Sequence, residues 1–250
     1  IKSPALLPSL QAMKPLIGKD TTIITCMNGI PHWYFHKLDN KYANYKIKCL
    51  DPNLLIDTIL PPDNIVGSVV YPACEIVKPG TIRHIAGNRF SLGEPEGSES
   101  DRLKFISDIL KKAGFRAPIQ KNIRDEIWLK LIGNLSFNPI SALTGATLEQ
   151  ICNDQGTEAI VRAMMTEAKI IAEELGAKIN MSIEKRIDGA RKVGAHKTSM
   201  LQDIEAGKPI EINSIIIAVK ELGDLTNSPT PYINTILNLT LQKAKLIGCL

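Results

Sequence analysis

Lys130, Asn134 and Asn138 recur every fourth residue in the segment Lys130-Leu-Ile-Gly-Asn134-Leu-Ser-Phe-Asn138-Pro. At ~100° per residue, each step of four drifts only ~40°, so a helix would carry all three on one face. The neighbours Leu129, Ile132, Leu135 and Phe137 are apolar, and a polar strip on an otherwise buried helix is costly unless something satisfies it. Two readings follow: a solvated face whose helix ends at Asn138 before Pro139, or a cleft. In a cleft, the ammonium could polarise or protonate an oxygen while two amides donate and accept hydrogen bonds. A second cluster, Ser199-Met-Leu-Gln-Asp203 followed by Glu211, offers a hydroxyl and two carboxylates. Taken singly, Ser199 could be an N-cap, Asp203 a surface acid and Glu211 an acid favoured by a helix dipole. Taken with Lys130 they could hold a small polar ligand. A third feature is Asn28-Gly29 at the end of a β-rich run, either a plain turn or the ligand-bearing end of a strand in an open α/β sheet.

The elements that must position these residues divide the chain. Up to about residue 121 the pattern is α/β. A helix interrupted by Pro8 and Pro15 is expected over Leu6–Leu16, then β-rich runs over Thr21–Met27, Ile65–Tyr71, Thr81–Ile85 and Arg89–Leu92. Residues 37–64, rich in Lys, Asn and Pro, read as an inserted surface excursion. The aromatic run after Gly29, from His32 to Phe35, could wall a pocket or pack that insertion. A helix over Asp101–Ala113 ends at Gly114. From about residue 122 the period is helical throughout: Arg124–Asn138, Thr157–Leu175, Ile183–Val193, Ser199–Ala206, Glu211–Leu222 and Tyr232–Ile247. Two domains are therefore expected, 1–121 and 122–250, the second all-α.

Composition narrows the classes of function. Of the 250 residues 44% are hydrophobic and 22% charged, which is too apolar for disorder. No apolar run approaches the ~18 residues of a membrane span. The net charge of +4 comes without a basic stripe, and aromatics are only 5%, which argues against nucleic acid. Cys26, Cys49, Cys74, Cys152 and Cys249 contain no CxxC, and reduced thiols in a cytoplasmic protein are expected. The four histidines, 32, 36, 84 and 196, lack metal-ligand spacing, so no metal is expected. Ser136 and Ser199 lack a nucleophile elbow, so hydrolase chemistry is not supported.

Lys130-x3-Asn134-x3-Asn138-Pro, then Ser199-Met-Leu-Gln-Asp203, then Glu211-Ile, closely resembles the ketopantoate reductase (2-dehydropantoate 2-reductase) family over essentially the whole chain. The resemblance implies an oxidoreductase acting on CH–OH groups, reducing 2-dehydropantoate to (R)-pantoate with NADPH on the way to pantothenate and coenzyme A. It implies a Rossmann-like N-terminal domain and a helical C-terminal domain of the 6-phosphogluconate dehydrogenase-like type. It assigns Lys130 as the general acid, and Asn28, Lys130, Asn134, Asn138, Ser199 and Asp203 to the substrate, with Asp203 supporting Ser199. It assigns Lys2, Asn28, the backbone at Ala73, and Glu211 to NADPH/NADP. The expected partner is a small-molecule 2-oxo acid, with no nucleic acid or membrane, and a homodimer is compatible.

Three departures accompany the resemblance. No GxGxxG loop occurs, and Lys2 corresponds to a position well past it. On this reading the first units of the Rossmann domain, on the order of 60–70 residues, precede residue 1. Residues 37–64 resemble an insertion near Asn28, and Leu148 stands where the family often has a substrate-binding Asn. Alternatives are a reductase of another 2-oxo acid on the same scaffold, or a truncated paralogue that binds without catalysis.

Overall fold

The computed structural model describes residues 1–250. All its strands lie before residue 94. They are β1 (Ile23–Thr25), β2 (Ile65–Val70), β3 (Ala73–Lys78), β4 (Thr81–Ala86) and β5 (Phe90–Gly93). β2 is the centre of a three-stranded sheet. It runs parallel to β1, with Ile23 opposite Ile65, and antiparallel to β5, with Gly67 opposite Gly93. Near the N-terminus, α1 (Leu6–Met13) gives way at Pro15 to one 3-10 turn, as the two prolines suggested.

Parallel pairing of β1 with β2 obliges the chain between them to cross back, and such crossovers bury a face on the body of the protein. This corrects the reading of 37–64 as a surface excursion. Ile47, Leu50, Ile56, Ile59 and Leu60 are all buried, the last three in a small core with Leu6 and Leu10. The short α2 (Ile56–Ile59) is capped by Asp51, whose carboxylate accepts from the Leu55 and Ile56 N–H groups at 2.8 Å each. The Glu221 carboxylate pins the crossover to the helical half, accepting from Tyr45 Oη at 2.9 Å, Lys48 N at 2.7 Å and Cys49 N at 2.9 Å. Polar composition concealed the buried apolar residues of this segment, while others, Leu54 and Leu55, stay exposed.

β3 and β4 form a hairpin exposed along its whole length. Only its second strand was expected. With neither face buried, β3 has no alternation to read.

The remaining elements are α3 (Asp101–Lys112), α4 (Ile123–Thr144), α5 (Leu148–Asn153), α6 (Gln155–Glu174), α7 (Ile183–Val193), α8 (Ser199–Glu205), α9 (Ala218–Thr226) and α10 (Pro231–Leu246). Three differ from expectation. α4 does not stop at Pro139 but continues to Thr144, closed by Gly145. An internal proline costs ~3 kcal/mol or more. Ile140 and Ala142 beyond it are 3% and 0% exposed, and burying an Ile-sized side chain returns ~1.5–3 kcal/mol. Tertiary packing therefore carries the helix through. α5 was not expected, although Thr147 and Gln150 form a capping box that Thr-x-x-Gln encodes. The single helix expected from Glu211 is instead a π-turn at Asn213–Ile217 leading into α9.

One apolar core joins Ile30, Trp33, Tyr34 and Phe35 to Trp128, Leu131, Met164, Ile216, Leu222 and Ile233. The Arg124 side chain reinforces that junction, donating to the carbonyls of Tyr34, Pro95 and His36. No helix is long and apolar enough to cross a membrane.

Candidate active site

α4 begins with Asn122, whose side chain accepts from Arg124 N, and with Asp125 and Glu126 favoured in the first turn by the helix dipole. Because its flanks are buried almost all round, the helix is rigidly held, and Lys130 projects from it towards the carboxyl end of β1. There Lys130 Nζ donates to Asn28 Oδ1 at 2.7 Å and to the Val70 carbonyl at the end of β2. Asn28 Nδ2 in turn donates to Glu211 Oε2 at 3.0 Å. The amide thus relays between the cation and the carboxylate, and no direct ion pair forms. The Lys130 ammonium also lies 5.7 Å from the centroid of the Tyr71 ring. Burial pushes its pKa down to about 8. The Glu211 charge opposes that shift and the Arg186 charge adds to it. A lysine of this kind is still mostly charged at neutral pH, yet can give up its proton.

Asn28 is fixed by its successor. Gly29 has φ +87°, and a Cβ there would run into the backbone of Ser214 in the π-turn. The Ile30 N–H donates to the Ser214 carbonyl at 2.8 Å in the same contact. Glycine is required both for the left-handed conformation and for the close approach. The π-turn, a form frequent at functional sites, therefore anchors the Asn28 turn against the segment that carries Glu211.

A cavity of about 390 Å³ opens beside this relay. Asn28, Lys130 and Asn134 edge it with polar atoms, and Pro4, Leu6, Met27 and Ile212 contribute to its apolar wall. Asn138, one turn beyond Asn134, is 5% exposed with Nδ2 unpartnered. Of the two readings of the α4 strip, the cleft is the one that the geometry supports.

The second cluster is arranged differently. Thr198, not Ser199, caps α8, accepting from Leu201 N. Ser199 is exposed. Asp203 is buried and does not turn to Ser199: both its oxygens accept from Lys2 Nζ at 2.6 Å. The Ser3 N–H meanwhile points to Glu211 Oε1 at 3.4 Å. Lys2, Asn28 and Glu211 thus sit around one corner of the site. Ala73 stands apart at the exposed start of β3, two residues beyond Tyr71.

Two further residues stand out, one of them in the run His32–Phe35 that by sequence could wall a pocket. His32 lines the cavity, both ring nitrogens lack partners, and burial pushes its pKa down to about 4, so the ring is neutral. Its position just after Asn28-Gly29 was the available signal. Arg186, on α7, has its guanidinium against Gly133 of α4. An arginine in an amphipathic helix looks like any solvated charge, and nothing in the sequence distinguished it.

Residues 122–244 match the family model described as "Ketopantoate reductase PanE/ApbA C terminal". A 2-dehydropantoate 2-reductase of Mesorhizobium japonicum is 48% identical over 249 residues, which is 100% of this chain and 76% of that protein. The chain belongs to the ketopantoate reductase family. A solved Ralstonia solanacearum MolK2 protein assigned to the ketopantoate reductases superposes with TM-score 0.96 at 38% identity, covering 100% of this chain and 76% of its own. The 2-dehydropantoate 2-reductase of Methylococcus capsulatus gives TM-score 0.83 at 27% identity, covering 99% and 74%. In this ketopantoate reductase family member, the helical part lies where the family model matches.

Proposed function

We propose that this chain reduces 2-dehydropantoate to (R)-pantoate with NADPH, and that Lys130 is its general acid. The observation that carries the reading is the Lys130–Asn28–Glu211 relay, which holds a buried ammonium with a depressed pKa at the edge of a cavity. The relatives named above support the choice of substrate. Parallel pairing of β1 and β2, with Asn28 just beyond the carboxyl end of β1, supports a Rossmann-like origin for residues 1–121, with 122–250 as the helical domain.

The residues present suit a dinucleotide. The cavity pairs apolar walls from Pro4 and Leu6 with the polar atoms of Asn28, and a flat ring with a polar edge needs both. Lys2, Asn28 and Glu211 would hold it from one corner, and the backbone at Ala73, which stands apart from them here, is assigned to it by the resemblance. Bound NADPH supplies the hydride for C2 of the substrate. Lys130 polarises the ketone oxygen and gives it the Nζ proton as negative charge develops there. Asn28 keeps the ammonium aimed by accepting one of its hydrogens, while the Glu211 charge favours the protonated form. Asn134, Asn138 and Ser199 orient the polar groups of the substrate, and Asp203 holds Lys2 in place.

Consumption of NADPH with 2-dehydropantoate and with a panel of other 2-oxo acids tests the proposal. The expected result is the highest kcat/KM for 2-dehydropantoate. Faster turnover of another 2-oxo acid would reassign the substrate, and tighter binding of NADH than NADPH by titration would reassign the cofactor.

A further inference from the structure

Among the arginines at least partly shielded from solvent, Arg186 is the one that meets no partner. Arg89 pairs with Glu126, Arg102 with Glu94, and Arg162 and Arg191 with Glu158, while Arg124 donates to three carbonyls. The Arg186 side chain makes no ion pair, and its Nε is buried without a hydrogen bond. It borders a narrow crevice with Leu129, Ile132, Met165 and Ile179. Its head rests on the backbone of Gly133, where any Cβ would overlap the guanidinium. Glycine inside a helix costs ~1 kcal/mol relative to alanine, and here it gives the planar head a seat on α4. Burial lowers the pKa of this guanidinium, and the only nearby group favouring its charge is the Tyr71 phenol.

That seat lies beside the proposed acid. Positions 130 and 133 are neighbours on one strip of α4, separated by about 4.5 Å along the axis. Tyr71 is near both, its ring centroid 5.7 Å from the Lys130 ammonium and its phenol favouring the Arg186 charge, and its Oη donates to Glu126 at 3.2 Å. Two desolvated cations, one on α4 and the other seated three positions further along it, neither ion-paired to a carboxylate of the protein, destabilise each other until an anion joins them. In a 2-oxo acid the ketone and the carboxylate sit on adjacent carbons. A cation that takes the ketone oxygen therefore needs a second cation close by for the carboxylate, and a guanidinium offers the planar two-pronged fork that a carboxylate fits. Ser199, by contrast, is exposed and far less suited to neutralising a charge.

We propose that Arg186 is the carboxylate anchor of this enzyme, holding the acid end of the 2-oxo acid while Lys130 holds its ketone oxygen. The inference rests on the proposed 2-oxo acid reductase activity. It makes Arg186 the residue that distinguishes a 2-oxo acid from an uncharged ketone of the same shape.

The test compares 2-dehydropantoate with its methyl ester, which keeps the ketone and loses the charge, on unaltered protein and on Arg186→Gln and Arg186→Lys. The kcat/KM ratio of acid to ester is expected to fall about 10- to 100-fold in Arg186→Gln, the range for a lost hydrogen bond to a charged group, chiefly through KM for the acid. Arg186→Lys, which keeps the charge without the fork, should recover part of the ratio. Equal losses on acid and ester, or no change in the ratio in either variant, would overturn the proposal. Failure of the unaltered protein to reduce any 2-oxo acid would instead remove the activity on which it rests, and is read before any variant is made.

Discussion

The strip on α4 and the segment Ser199–Asp203 on α8 both offer polar groups for a ligand as sequence, and the fold treats them in opposite ways. On α4, Lys130 and Asn134 face into a cavity, and the ammonium is held by groups from the other half of the chain, Asn28 and the Val70 carbonyl. On α8 the hydroxyl of the pair is exposed, and the carboxylate is occupied by Lys2. A polar residue on a buried helix must be satisfied by something brought from a distance, so its surroundings are specific. A short helix at the surface can satisfy the same residue types with water or with one lysine. The difference separates chemistry on α4 from support on α8.

The largest expected effect breaks that comparison at its stronger end. Lys130→Ala should lower kcat by ~10²–10⁴-fold, the usual worth of general acid catalysis, and raise KM far less. Steady-state kinetics on folded protein measures both. Near-normal kcat would reduce the α4 strip to the status of α8. Next, Asn134→Ala should act mainly on KM, because the amide holds the substrate in ground state and transition state alike. Ser199→Ala should raise KM in the same sense but less, since its exposed hydroxyl is already solvated. A larger KM effect at Ser199 would reverse the ranking of the two segments. The smallest effect concerns Asp203→Asn. The Lys2 side chain is 52% exposed, and ion pairs with that degree of solvation contribute ~0–1 kcal/mol. Denaturant melting should therefore show a change of about 1 kcal/mol or less.

Local pattern revealed the helices best where a face was buried, as in α6, where Met164, Ala168, Ile171 and Leu175 fall on one side and are all buried. It failed where the deciding force came from elsewhere in the chain. Pro139 signals a helix end, and only the packing of Ile140 and Ala142 overrules it. Residues 37–64 look solvated by composition, and only the crossover from β1 to β2, with Glu221 clamping it, shows why Ile47, Leu50, Ile56, Ile59 and Leu60 among them are buried. The candidate site divides along the same line. Lys130, Asn134 and Asn138 were legible because helix periodicity is local. That Asn28, 102 positions away, belongs at the substrate with Lys130 came from the resemblance and not from spacing, and the hydrogen bond between the two was not foreseen. The Asp203–Lys2 pair, 201 positions apart, was hidden, as was the lone guanidinium of Arg186, whereas His32 belongs to a run that by sequence could wall a pocket and does line it.

The central claim is that Lys130 acts as an acid from a site that depresses its pKa to about 8. In the direction of reduction the ammonium must be protonated, so the rate is retained below that pKa and lost as pH rises through it. The most direct measurement is therefore kcat/KM for 2-dehydropantoate against pH, which reports the titration of the free enzyme. The account predicts a plateau near neutrality and a fall above about pH 8 approaching tenfold per unit. A profile level to about pH 10, where an ordinary lysine with pKa ≈ 10.4 would still be mostly charged, would contradict it.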